Sequence, residues 1–147
     1  MSNEEKNILK LHKLIQGKET KLPFFFTPVK AGFPSPAEDF IENKLDLNEF
    51  LITHPSETYL VKASGDSMKG AGINNGDILI VDRSLNPQDG LIAIAALNGE
   101  FTVKRIRKIK GELFLVPENS DFKSIKIDRD NELIIWGIVT YIIHKSK

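Results

Sequence analysis

From residue 58 onward the chain is written in short runs of alternating or β-branched residues, punctuated by glycine and Asn/Asp. That punctuation confines it to a sheet protein. Residues 59–63, 77–81, 91–96, 100–106, 113–116 and 133–143 each read as a strand. Asn98-Gly99 and Lys110-Gly111 mark tight hairpins, since such turns need a positive φ that asparagine and glycine tolerate best. The longest apolar run, 133–143, is interrupted by Gly137 and Thr140 and falls short of the ~18–20 apolar residues of a membrane helix, so it reads as buried strand. Many short strands joined by tight turns predict a mainly-β fold, a small and strongly bent sheet.

The first third is different. Residues 4–16 place Ile8, Leu11, Leu14 and Ile15 on one helical face, Glu4 and Glu5 suit a helix N-terminus, and Gly17 suits its end. The expectation is an N-terminal helix, then a lysine-rich spacer. Leu22-Pro23-Phe24-Phe25-Phe26 follows, either exposed aromatics in search of a docking surface or a strand pairing with its own domain. Phe33 to Glu38 reads as a helix start, with Ser35 as cap, Pro36 at the first helical position and Glu38 closing a capping box. Asp46-Leu47-Asn48-Glu49 repeats that logic for a second short helix or turn, and His54-Pro55 turns the chain into an extended segment.

Bulk properties narrow the function. A length of 147 residues suits one compact domain plus an arm. Twenty Lys+Arg balance twenty Asp+Glu, whereas a direct nucleic-acid binder usually shows a basic excess. Any role near DNA is therefore expected to run through a protein partner, without direct sequence-specific DNA binding. The absence of cysteine removes disulfides, thiolate zinc sites and a cysteine nucleophile. The acidic start lacks a signal-peptide core, and with no membrane span in view a cytoplasmic location is expected.

Two segments invite chemistry. Residues 61–68 run from a strand into Ser64-Gly65-Asp66-Ser67-Met68, where a serine can present its hydroxyl and the backbone N–H groups beyond it can face a developing oxyanion. The same string is also an everyday turn. In residues 100–106, alternation puts Lys104 on one face with Thr102 and Ile106, opposite Phe101 and Val103. A lysine embedded there loses solvation, its pKa falls, and it becomes a usable base for a serine; equally it can be a hydrated lysine guarding a sheet edge. His12, His54 and His144 show no metal-like spacing, and a His-based triad is disfavoured. No phosphate-binding loop is present, and Gly70-Ala71-Gly72 reads as a turn. Asp66, Asp77 and Asp82 lie where carboxylates cap turns, and Met68 reads as core filler.

Taken together these blocks resemble the LexA/UmuD family of self-cleaving Ser/Lys peptidases. Ser64 to Met68, Gly72-Ile73 and Gly76 to Asp82 are similar to its serine region, and Gly99 to Lys104 to its lysine region. Ala31 to Ala37 resembles its cleavage site and the start of the mature chain, with Asp46-Leu47-Asn48 and His54-Pro55-Ser56 as further likenesses. The resemblance spans roughly residues 30–143 in family order, and it favours the chemical reading of both segments. It implies Ser67 as nucleophile, neutral Lys104 as general base, the backbone N–H groups of Ser67 and Met68 as oxyanion hole, and the Ala31–Gly32 bond as substrate. Alanine stands before that glycine where the best-known members of the UmuD type have cysteine. It further implies a removable regulatory arm, residues 1–31, before a peptidase domain, residues 32–147. No cofactor or metal is implied. The implied partners are a second copy in a homodimer, a RecA–single-stranded DNA filament as trigger, and a Y-family translesion polymerase of the UmuC type served by the cleaved fragment. A helix-turn-helix domain needs roughly 60–70 residues, and only 31 precede Gly32, which disfavours a LexA-like repressor. A non-catalytic binding module of the same fold remains the alternative, while a signal peptidase would need a membrane anchor.

Overall fold

A computed structural model describes residues 10–13, 21–25, 42–121, 123–127 and 133–146. In chain order these form β1 (Lys10–Lys13), β2 (Lys21–Phe25), β3 (Glu42–Asp46), α1 (Leu47–Leu51), β4 (Thr58–Lys62), β5 (Ile78–Asp82), β6 (Ile92–Leu97), β7 (Glu100–Ile109), β8 (Glu112–Val116), β9 (Ile125–Lys126) and β10 (Leu133–Ile143). Short 3-10 turns occupy Pro55–Glu57 and Lys69–Ala71. The fold is mainly β, as expected, and the strands read from the pattern all form, with ends that agree to within three residues. The described residues fall into two compact units. One holds β1 with everything from His54 onward; the other holds β2, β3 and α1.

In the larger unit eight antiparallel strands are ordered β1-β4-β5-β10-β6-β7-β8-β9. The hairpin β6–β7 turns at Asn98 (φ 51°) and Gly99 (φ 82°), and β7–β8 turns at Lys110 (φ 51°) and Gly111 (φ 79°). The longest strand, β10, is inserted between β5 and β6 and serves both. Its register slips at Trp136 against β6 and at Thr140 against β5, and each bulge adds bend and twist. Next to the first bulge, Gly137 has no space for a side chain. A Cβ there would lie 2.6 Å from Val81 Cγ1.

Alternation along β6 and β7 buries both sheet faces. Ile94 and Val103 join Val61, Leu79 and Val81 in one apolar cluster, together with Ala63, Met68 and Ile73 from the β4–β5 loop. Ala93, Ala95, Ile106, Leu115 and Ile138 form a second. Met68 is thus core filler, as its residue type suggested, and it anchors the loop that carries Ser67.

The smaller unit pairs β2 with β3 in antiparallel register from Lys21↔Asp46 to Phe25↔Glu42. The aromatic segment is therefore a strand paired within its own chain. Among the described residues β2 pairs with β3 alone, and such an edge position tolerates Pro23. Asp46 caps α1, its carboxylate accepting the Asn48 N–H at 3.1 Å, which realises the second short helix.

Two expectations are corrected. Lys10–Lys13, read as part of a helix over 4–16, is a strand in register with β4, from Lys10↔Lys62 to Lys13↔Tyr59. A single helix of that length is marginal on its own, and an open strand edge offers four residues of backbone pairing instead. The segment after His54 is not simply extended, since Pro55–Glu57 makes a 3-10 turn before β4 begins. The helix start at residues 33–38 and the Ala31–Gly32 bond lie outside the described residues.

Candidate active site

Ser67 lies in the loop between β4 and β5, and the neck of that loop is closed by backbone bonds. The Ala63 N–H donates to the Asp77 carbonyl, and the Gly76 N–H donates back to the Ala63 carbonyl, both at 2.8 Å. Beyond Ser67 the chain tightens into the 3-10 turn Lys69–Ala71. Gly72 ends it with φ 82°, a conformation that glycine adopts without a steric penalty. The expected turn at residues 70–72 is therefore present. Ser67 itself is half-buried.

Lys104 lies mid-strand on β7, opposite Ala93 of β6, and only 8% of its surface is exposed. Alternation puts Thr102 on the same face, as expected, opposite Ala95. The Lys104 Nζ reaches three oxygens: Ser67 Oγ at 3.1 Å, Thr102 Oγ1 at 2.7 Å and the Val103 carbonyl at 3.1 Å. Thirty-seven residues apart in sequence, serine and lysine thus meet side chain to side chain. Burial disfavours the ammonium and holds the lysine below its ordinary pKa. A lysine so placed can be neutral closer to physiological pH and can accept a hydroxyl proton within hydrogen-bond reach.

Among the described residues, neither the Ser67 nor the Met68 N–H finds an acceptor. Two free donors beside a serine hydroxyl are what a developing oxyanion requires. The third expected element, Ala31–Gly32, falls outside the described residues.

Asp77, Asp82, His54 and His144 have structural duties. Asp77, 3% exposed, accepts the Asn74 N–H at 2.8 Å and pairs with His144 Nδ1 at 2.7 Å. Asp82, 4% exposed, accepts the Ser84 N–H and hydroxyl and pairs with His54 Nδ1 at 2.7 Å. Burial pushes the Asp82 carboxyl up, but the bonds from Ser84 and His54 outweigh it and hold the group below its usual range. These two pairs bracket β5, and neither histidine bonds Ser67. Among the described residues no cluster of three His, Asp or Glu side chains has the placement to hold a metal ion. No described helix is long and apolar enough to cross a membrane.

Two contributors escaped the sequence reading. Thr102 was placed on the correct face without a role, and Glu118 was not singled out. The Glu118 N–H donates to the Ser67 carbonyl at 2.8 Å, and its own carbonyl accepts the Gly70 N–H at 2.6 Å. No local pattern in Pro117-Glu118-Asn119 distinguishes it from any turn after a strand.

A serine hydroxyl, a desolvated lysine in contact with it and two backbone donors without an acceptor among the described residues thus lie together on a bent β scaffold. Comparison with known proteins gives the family. The profile of the Peptidase S24-like family matches residues 23–140. The chain is 45% identical over 121 residues to protein MucA of Salmonella typhimurium, covering 82% of each. It is 43% identical over 126 residues to protein ImpA of Shigella flexneri, covering 85% of each. It is 42% identical over 129 residues to the LexA repressor of Acidithiobacillus ferrooxidans, covering 86% of this chain and 62% of that protein. The chain belongs to the S24-like peptidases, the LexA/UmuD-type family of self-cleaving serine peptidases of the SOS response.

Proposed function

We propose that this protein is a DNA-damage switch that cuts its own Ala31–Gly32 bond with Ser67 and Lys104. The observation that carries the reading is the 3.1 Å contact between Lys104 Nζ and Ser67 Oγ at a buried lysine. Neutral Lys104 takes the Ser67 proton as Oγ bonds to the Ala31 carbonyl carbon. The oxygen that becomes negative is received by the Ser67 and Met68 N–H groups. The C–N bond to Gly32 then breaks, and the lysine ammonium returns its proton to the leaving amine. Water, deprotonated by the same lysine, then adds to the Ala31 ester carbon; the C–O bond to Ser67 breaks, the lysine ammonium returns its proton to Ser67 Oγ, and Ala31 leaves as a carboxylate. The products are residues 1–31, a regulatory arm, and residues 32–147.

In this reading a cytoplasmic homodimer is the resting form, and a RecA–single-stranded DNA filament raises the fraction of molecules whose scissile segment occupies the site. The cleaved fragment then serves a Y-family translesion polymerase. Support comes from the similarity to MucA and ImpA and from the neutral charge balance, which suits action through protein partners.

The test is incubation of the purified protein at pH 7 and pH 10 beside Ser67→Ala and Lys104→Ala, read by intact mass. The neutral fraction of Lys104 rises with pH, and burial moves that rise below the ordinary lysine range. The expected result is a fragment beginning at Gly32, formed faster at pH 10 and absent from both variants. No cleavage even with an activated RecA filament would move the function to a non-catalytic binding module.

A further inference from the structure

Ser67 and Lys104 belong to elements that are not neighbours in the sheet. β4 and β7 are separated by β5, β10 and β6. Their 3.1 Å contact therefore needs something that sets the serine turn against β7 independently of the reacting atoms. We propose that Glu118, gripped by Arg105, is the positioning residue that holds Ser67 at its working distance from Lys104. The proposal rests on the Ser67–Lys104 reading above.

Arg105 is the residue after Lys104 on β7, so its side chain leaves the opposite face of the strand. Its guanidinium is fixed at two points: Nε donates to Glu118 Oε1, and an Nη1 N–H donates to the Gly90 carbonyl at 2.6 Å. Glu118 in turn holds the serine turn through its backbone, by the bonds to the Ser67 carbonyl and the Gly70 N–H described above. Asn119 adds a third bond, its Nδ2 donating to the Asp66 carbonyl at 2.8 Å. Asp66, Ser67 and Gly70 are thus all tied to residues 118–119. Gly70 approaches Glu118 so closely that any Cβ would overlap the Glu118 carbonyl oxygen. β7 therefore grips the turn twice from adjacent residues, chemically through Lys104 and mechanically through Arg105 and Glu118.

The Arg105–Glu118 pair is partly exposed, at 26% and 33%. Exposed ion pairs add little to stability. A displacement of about 1 Å at a reacting centre, by contrast, costs on the order of 100-fold in rate. Loss of the pair is thus expected to be felt in cleavage before it is felt in folding.

The experiment follows self-cleavage of the full chain across pH, with thermal melting in parallel, for Glu118→Leu, Glu118→Gln, Arg105→Gln and Ser67→Ala. Expected is a roughly 10- to 100-fold lower plateau rate for Glu118→Leu and Arg105→Gln, an unmoved inflection of the pH profile, and melting close to the parent protein. Glu118→Gln keeps an acceptor for Arg105 and is expected to recover most of the rate. A Glu118→Leu rate equal to the parent's overturns the proposal, as does an inflection moved to lower pH, which would mean that the carboxylate acts on Lys104 through its charge. Should Glu118→Leu fail to fold, Arg105→Gln decides on the same criteria. An inert Ser67→Ala beside a fully active Glu118→Leu removes the positioning role alone. A Ser67→Ala that still cleaves removes the serine reading and the positioning role with it.

Discussion

The Lys104 nitrogen meets three oxygens, and their number matters for its protonation. As an ammonium it has three hydrogens for Ser67 Oγ, Thr102 Oγ1 and the Val103 carbonyl. As a neutral amine it has two, and the lone pair turns to a partner with a proton to give. The Val103 carbonyl has none, while the serine and threonine hydroxyls do. Thr102, at the shorter 2.7 Å, is well placed to keep one hydrogen of the amine and leave the lone pair to Ser67. Replacing Thr102 by valine keeps the shape and removes the acceptor. The charged lysine then loses a partner, so its pKa falls further and the cleavage profile shifts its inflection to lower pH. The amine is also held less well, so the plateau is expected to drop roughly tenfold, in the range of a lost positioning contact. A pH–rate profile of Thr102→Val reads both effects; an unchanged profile would remove Thr102 from the site.

At the level of elements, β10 joins the two halves of the sheet. Its bulge at Trp136 turns the indole against Tyr59 and Phe101, with centroids 5.1 and 6.1 Å away, and under the Arg83 guanidinium at 4.6 Å. Gly137 lets β10 press onto Val81 beside this cluster. Gly137→Ala is expected to cost about 1–3 kcal/mol, the usual penalty of overpacking, and urea melts would show it. A loss below a few tenths would mean that β5 gives way freely. The strands around this cluster were legible because period-two burial and Asn-Gly or Lys-Gly turns are local signals. Lys10–Lys13 was misread because its partner, the β4 edge, lies about fifty residues away and no local pattern announces it. β9 was missed because two residues are too few to show a period. The site divides the same way. Lys104 and Thr102 share a face by alternation, which a sequence displays. The meeting of Lys104 with Ser67 depends on strand order, and the grip of Glu118 on a backbone contact, and neither is written locally. Only the family resemblance of whole blocks pointed to the serine–lysine pair.

Across the whole molecule, the compact units divide between residues 14 and 15 and again between residues 53 and 54. The arm as proposed carries two strands into sheets shared with the remainder: β1 pairs with β4, and β2 with β3. The Ala31–Gly32 bond lies in the segment joining β2 to β3, so cutting it removes none of these pairings. After cleavage, native mass spectrometry at tens of micromolar is expected to find both pieces in one particle, while denaturing conditions separate them. Hydrogen exchange at residues 58–62 should quicken only on dilution, when β1 departs and β4 becomes an open edge. Immediate separation at every concentration would mean that strand pairing does not retain the arm.

On the proposed reading, that stitched-in arm splits one event into two. Severing the bond is permanent, yet the severed piece can leave and return, as a cut thread still lies in its seam. The signal that damage has occurred would then be sent when the thread is drawn out, and its timing would follow the abundance of the protein and of competitors for the vacated edge rather than the speed of the chemistry.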